Sequence, residues 1–361
     1  MKMHRSIVDH WTWLVPVAAW AALITITMTG WGGVFLAVVA VFLAGAVFAA
    51  VHHAEVIAHR IGEPYGTLVL AVAVTVIEVA LIVSIMLSVG DAKAALARDT
   101  VFAAIMIVCN GIVGLCLLLG GLRHVKQTFQ LEGASAALAV LAALSILALV
   151  LPNYATTVPG PVWSRSQLAF SGIASLVLYG AFVFIQTIRH RDYFLAEDRL
   201  GQEAHAEPPT VAQTWTSVAL LFVCLVAVVG LAKALSPSIE AAVHDFGAPE
   251  AVVGIIIASL VLMPEGLAAA RAAHADKLQT SLNLALGSAL ASIGLTIPVI
   301  AAIFVVSGRP LILGIDPKET VLLLLTLIVG TITLGTGRTT ILQGVVHLVI
   351  LAAYVFLSVV P

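Results

Sequence analysis

Residues 66–87 read GTLVLAVAVTVIEVALIVSIML, and residues 252–273 read VVGIIIASLVLMPEGLAAARAA. Each run is long enough to cross a bilayer, since a helix needs about 20 predominantly apolar residues to span the hydrocarbon core. Each also carries a glutamate far from its ends. Eleven residues separate Glu78 from Gly66 and from Gly90, and Glu265 lies fifteen residues beyond Glu250. A carboxylate at mid-membrane costs roughly 2.5–3.5 kcal/mol on insertion scales, so it marks a functional site by default. The bland alternative for each is a protonated glutamate hydrogen-bonded inside a helix bundle.

The whole chain matches these two stretches in character. Of its 361 residues 61% are apolar and only 10% are Asp, Glu, Lys or Arg, with a mean hydropathy of +1.11. Soluble domains carry about 25% charged residues, so a fold of this size could not cover a water-facing surface with so few. The composition therefore specifies an all-α polytopic membrane protein. Seventeen Lys and Arg against 19 Asp and Glu leave no basic excess for nucleic acid. Cys109, Cys116 and Cys224 all fall in apolar runs without a CxxC pair, which suits packing rather than disulfides or metal ligation. The spans hold neither HExxH nor GxSxG, so an intramembrane enzyme is disfavoured; a cation channel filtered by the glutamates is the nearer rival.

Eleven apolar windows are candidate transmembrane helices, at about 11–29, 31–51, 66–89, 100–122, 134–151, 167–188, 213–235, 250–270, 279–306, 319–336 and 340–360. The short basic start before the first window, with no small-residue cleavage site, reads as a retained span. A cytoplasmic N-terminus puts eleven Lys and Arg inside and six outside, and leaves the C-terminus outside. This is the expectation for a multi-pass protein of the cell (inner) membrane.

The longest loop, 189–212, holds Glu197, Asp198, Arg199, Glu203 and Glu207 and divides six spans from five. Setting the first span (1–30) aside leaves five-helix repeats at 31–190 and 213–361, joined by a cytoplasmic linker at 191–212. A repeat with an odd number of spans must insert upside down, a common transporter plan with ions bound near the midplane. Glu78 and Glu265 each lie in the second helix of their half, so inverted symmetry would bring them face to face.

Oxygen carriers surround both positions. Thr75 precedes Glu78 by about one turn, while Pro264 and Gly266 flank Glu265 and predict an interrupted helix with freed carbonyls. The third helix of each half adds Asn110, and then Asn283, Ser288 and Ser292. For these small polar residues, helix–helix packing is as good an account as ligation. Two carboxylates with amide, hydroxyl and carbonyl oxygens suit a hard cation bound by Glu78 and Glu265. His347, deep in the last span, reads as a packed or pore-edge residue. His52, Glu55 and His59 fall on one face at the end of the second span. They could act as a pH sensor or a cytoplasmic metal site, against the plainer reading of an interfacial polar cap.

The stretches 52–84 (HHAEVIAHRIGEPYGTLVLAVAVTVIEVALIVS) and 255–299 (IIIASLVLMPEGLAAARAAHADKLQTSLNLALGSALASIGLTIPV) resemble the cation/calcium exchanger superfamily, most closely its bacterial calcium/proton antiporter branch. The resemblance implies an antiporter that exchanges Ca²⁺, or in some members Na⁺ or K⁺, for protons. Its key acidic residues map to Glu78 and Glu265, and its third-helix polar positions to Asn110 and Ser292. Many members carry Gly-Asn shortly before each glutamate, where this chain has Val74-Thr75 and Val261-Leu262. The lost amides weaken the case for calcium and strengthen that for monovalent ions. No cofactor is expected, and the partners are the lipid bilayer and inorganic cations.

Overall fold

A computed structural model describes residues 3–29, 34–62, 65–89, 94–194, 209–307 and 311–360. The described residues are 86% helical, and among them eleven helices are long and apolar enough to cross a membrane. They are built from α1 (Met3–Thr29), α2 (Val34–Ile61), α3 (Tyr65–Val89), α4 (Leu96–Met106), α5 (Val113–His124), α6 (Leu131–Ser145), α7 (Arg165–Phe184), α8 (Val211–Asp245), α9 (Ala251–His274), α10 (Leu278–Ser307), α11 (Pro317–Leu334) and α12 (Ile341–Val359). A π-helical turn, Ile107–Ile112, joins α4 to α5 in one span. Most of the linker at 191–212, with Glu197, Asp198, Arg199, Glu203 and Glu207, lies outside the described residues.

Several helix starts are written in side chains. At α7 and α8, Ser164 and Thr210 accept from the backbone of Gln167 and Gln213, whose amides reach back to the Ser164 and Thr210 N–H groups at 3.0 and 2.8 Å. Glu319 and Gln343 reach back in the same way at the starts of α11 and α12, to the N–H groups of Asp316 and Thr340. Such reciprocal bonds satisfy donors that a helix start leaves open. Three helices run past their apolar windows: α1 begins at Met3, α2 continues to Ile61 and α8 to Asp245. Hydropathy marks the membrane-buried part of a helix, whereas backbone bonding carries it on into its polar end.

Packing divides the chain into two compact units that do not coincide with the halves read from sequence: Met1–Ser88 with His205–Gly247, and Val89–Ala204 with Ala248–Pro361. In the first, α2 packs on α1 and α8. Gly45 and Gly230 make room for Val15 and Leu23, and Trp20 Nε1 donates to the Val223 carbonyl at 3.0 Å. His53 is buried and ties the three helices at one end, contacting Ser217 Oγ through Nδ1 (3.3 Å) and the Thr12 carbonyl through Nε2 (3.2 Å).

In the second unit the span made of α4 and α5 runs parallel to α9. Gly254 meets Asp99 near their starts, and His274 meets Arg123 and His124 at the far end. The span through α5 runs antiparallel to α12, with Gly111, Gly114 and Gly121 against Leu351, His347 and Ile341 in turn. Small residues let the two backbones approach closely, which is the main packing device available inside a membrane. The unit has two chemically distinct ends. Gln127–Thr128 (β1) pairs antiparallel with Arg338–Thr339 (β2) at the end holding Arg123, Lys126 and Lys277. The opposite end gathers Asp99, Asp316 and Glu319 with Arg98.

Candidate functional site

Both sequence-selected glutamates sit deep in their helices. Glu78 is the fourteenth of 25 residues in α3 and Glu265 the fifteenth of 24 in α9, only 4% and 8% exposed. At 1.5 Å per residue each lies at least about 13 Å from either end of its helix. Thr75, three residues before Glu78, is also buried, and its hydroxyl donates to the Ala71 carbonyl at 2.9 Å. That bond uses the hydroxyl proton and leaves oxygen lone pairs to accept or ligate.

The expected interruption at Glu265 is absent: α9 runs unbroken from Ala251 to His274 through Pro264 and Gly266. Proline lacks only the one N–H that the Leu260 carbonyl would have received, so the helix absorbs it locally. The irregular backbone lies on the neighbouring span instead, in the π-turn Ile107–Ile112. Gly266 faces that turn, with Ile112 Cδ1 only 3.3 Å from where a Cβ would stand. The position after Glu265 therefore packs against the turn that carries Asn110.

Asn110 is fully buried and hydrogen-bonded at both ends of its amide. Nδ2 is 2.8 Å from Thr326 Oγ1 on α11, and Oδ1 is 3.1 Å from His347 Nδ1 on α12. His347, 1% exposed, also contacts Thr333 Oγ1 through Nε2 at 3.1 Å. The packed-residue reading of His347 thus meets a specific partner, Asn110, that sequence spacing could not show. Asn110 itself was legible as a polar residue inside an apolar run; the threonines of α11 gave no signal.

The α10 residues separate into two groups. Ser292 is buried and Ser288 half-buried along the inner part of the helix. Thr296, one turn beyond Ser292, was missed by sequence reading; its hydroxyl is buried with no hydrogen-bond partner among the described residues. Asn283 belongs elsewhere. Its amide donates to the Phe194 carbonyl and accepts from Gln279 Nε2 at 2.9 Å, while Gln279 Oε1 accepts from the Gln130 N–H at 2.6 Å. The pair anchors the Arg191–Phe194 turn and the start of α6, so Asn283 stands in an anchoring network with both ends of its amide engaged. Its residue type carried no information about which end of α10 the loop would reach.

The histidine cluster is also split. His52 is half-buried, with its ring 5.7 Å from Trp11 and 5.5 Å from His53, whereas Glu55 and His59 are exposed. Among the described residues, no three His, Cys, Asp or Glu side chains gather as a metal-binding group, so the cytoplasmic metal reading of His52, Glu55 and His59 is not supported by their placement.

The model of the sodium/calcium exchanger protein family matches residues 31–188 and 216–360, covering both halves and both glutamates. The chain is 50% identical to y4hA of Sinorhizobium fredii, over 100% of this chain and 99% of that protein. It is 37% identical to the sodium-potassium/proton antiporter ChaA of Escherichia coli, over 85% of this chain and 84% of that one. The fold matches the crystal structure of the Ca²⁺/H⁺ antiporter YfkE with a TM-score of 0.72 and 17% identity, covering 97% of this chain and 99% of that one. With eleven apolar spans among its described residues and one family model matched along both halves, the chain belongs to the sodium/calcium exchanger protein family.

Proposed function

We propose that this chain is a secondary antiporter that exchanges a cation for protons by alternating access, with Glu78 and Glu265 as the ion-carrying carboxylates. The observation that carries the reading is the burial of both glutamates deep in membrane-crossing helices, in a chain with so few charges to spare. Thr75, Asn110, Ser288 and Ser292 supply neutral oxygens for the same cation. Two ionised carboxylates balance one Ca²⁺, which makes Ca²⁺ the first candidate. Protonation of both releases it, and the neutral site returns without carrying bare charge through a dry intermediate. Competition at one site thereby couples the two fluxes, and the five-helix halves would act as inverted repeats about it.

A second reading, Na⁺ or K⁺ exchange, is favoured by the name of ChaA and by the Val74-Thr75 and Val261-Leu262 positions that lack amides. The basic end of the second unit, with Arg123, Lys126, Lys277 and Arg338, favours that end as cytoplasmic in the cell membrane. The test uses everted vesicles energised by a proton gradient, with Ca²⁺, Na⁺ and K⁺ added in turn. The transported ion dissipates the gradient, and Glu78→Gln or Glu265→Gln abolishes that response. Retained exchange in either variant removes that glutamate from the mechanism, and cation uptake without proton movement indicates a channel.

A further inference from the structure

We infer that His347 is a positioning residue for cation binding: it holds the Asn110 amide so that Oδ1 keeps one lone pair for the ion. This rests on the proposed role of Asn110 as a ligand. Thr326 Oγ1 lies 2.8 Å from the Leu322 carbonyl, which can only accept. The Thr326 hydroxyl proton goes to that carbonyl, or to the weaker acceptor Met106 Sδ at 3.4 Å, and in either case Thr326 Oγ1 receives from Asn110 Nδ2 at 2.8 Å. That fixes the amide, with Oδ1 turned to His347, and makes Nδ1 the protonated ring nitrogen of the 3.1 Å contact. Nε2 is left to accept from the Thr333 hydroxyl at 3.1 Å. Every donor in the chain Thr333–His347–Asn110–Thr326–Leu322 then points the same way, and the two threonines, two turns apart on α11, bracket the pair.

The backbone is shaped for this contact. A Cβ on Gly114 would stand 2.9 Å from His347 Cβ, and one on Gly344 would stand 2.8 Å from the Gly114 carbonyl. The imidazole reaches Asn110 only because both helices are stripped of side chains there. A carbonyl-type oxygen has two acceptor sites, so with one taken by His347 the amide is fixed yet still able to ligate. Groups that orient a ligand in this way typically change metal affinity by about 10–100-fold when removed.

The test measures the apparent KM for the transported cation and the thermal stability of purified protein for N110A, H347L, H347N, T326V and the double variant N110A/H347L. The expected result is a KM raised about tenfold in N110A and in H347L, with the double variant no worse than N110A alone. Asparagine at 347 keeps an N–H donor toward Asn110, so H347N stays within about threefold of wild type. An unchanged KM in N110A overturns the ligand role of Asn110 itself, and with it this inference. A raised KM in N110A with an unchanged one in H347L overturns the positioning role alone, as does equal loss in H347N and H347L. If H347L does not accumulate, T326V decides from the other end of the amide, since it is nearly isosteric. A raised KM supports the inference, and an unchanged one beside an impaired N110A overturns it.

Discussion

Arg98 Nε donates to Asp99 Oδ1 at 2.7 Å, and the same guanidinium sends Nη1 to the Gly314 carbonyl at 3.1 Å. Both side chains are largely buried at the start of α4, 14% and 10% exposed. The arginine therefore neutralises a carboxylate and ties the segment before α11 to the fourth span. Breaking one partner of such a pair leaves an uncompensated charge, which costs about 3–5 kcal/mol, whereas removing both is often near neutral. Arg98→Leu should lower the unfolding temperature in detergent sharply, and R98L/D99N should recover most of the loss. A double variant as unstable as R98L would assign the effect to the Gly314 contact instead.

Gly254 is the neighbouring prediction. A Cβ there would stand 3.0 Å from the Asp99 carbonyl carbon and the Thr100 nitrogen, both backbone atoms that cannot swing aside. Overpacking of this kind typically costs 1–3 kcal/mol, so Gly254→Leu should destabilise by about that amount. Because α9 carries Glu265 three turns further on, forcing it away from α4 should also weaken cation affinity. Melting curves and transport KM measured on the same preparation check both halves of the expectation.

Asn283 separates an anchor from a ligand. Its amide is engaged with the Phe194 carbonyl and Gln279, nine residues before Ser292 on the same helix. Asn283→Ala should cost about 1 kcal/mol of stability, the typical worth of a lost hydrogen bond, and leave the cation KM unchanged. Faster proteolysis near Phe194 would accompany it. A raised KM with unaltered stability would return Asn283 to the ion pathway.

The different fates of Asn110 and Asn283 show what a sequence exposes and what it hides. Apolar length placed the helices, because crossing hydrocarbon demands about 20 residues whatever lies alongside. Glu78 and Glu265 were visible for the same reason: a carboxylate inside such a run conflicts with its surroundings, and the conflict can be read locally. Asparagine creates no such conflict, since it is tolerated equally as glue, anchor or ligand. Its role depends on what another span brings to it, and that is set by packing between residues more than 200 positions apart, as with Asn110 and His347. The π-turn at Asn110 was hidden too, because its residues satisfy helical hydropathy and only the hydrogen-bond register changes. Pro264 misled in the opposite direction: proline removes one donor, and a helix held on both sides can absorb that loss.

The pH dependence of cation binding follows from competition at carboxylates. Ionised Glu78 and Glu265 hold the cation, and protonation discharges them, so binding must release protons and strengthen as pH rises. Where both carboxylates are protonated in the empty protein, each bound cation should displace about two protons, and the apparent Kd should fall by about two log units per pH unit. Toward higher pH, where both are already ionised, the release and the slope should go to zero. The measurement is proton release on adding the cation to purified protein in weakly buffered detergent, beside a Kd series across pH. Glu78→Gln and Glu265→Gln should each bind more weakly and release about one proton, because the amide cannot ionise while the other carboxylate still can. Release of two protons by either variant would show that another group carries the second proton. A Kd independent of pH in the wild type would detach cation binding from protons altogether.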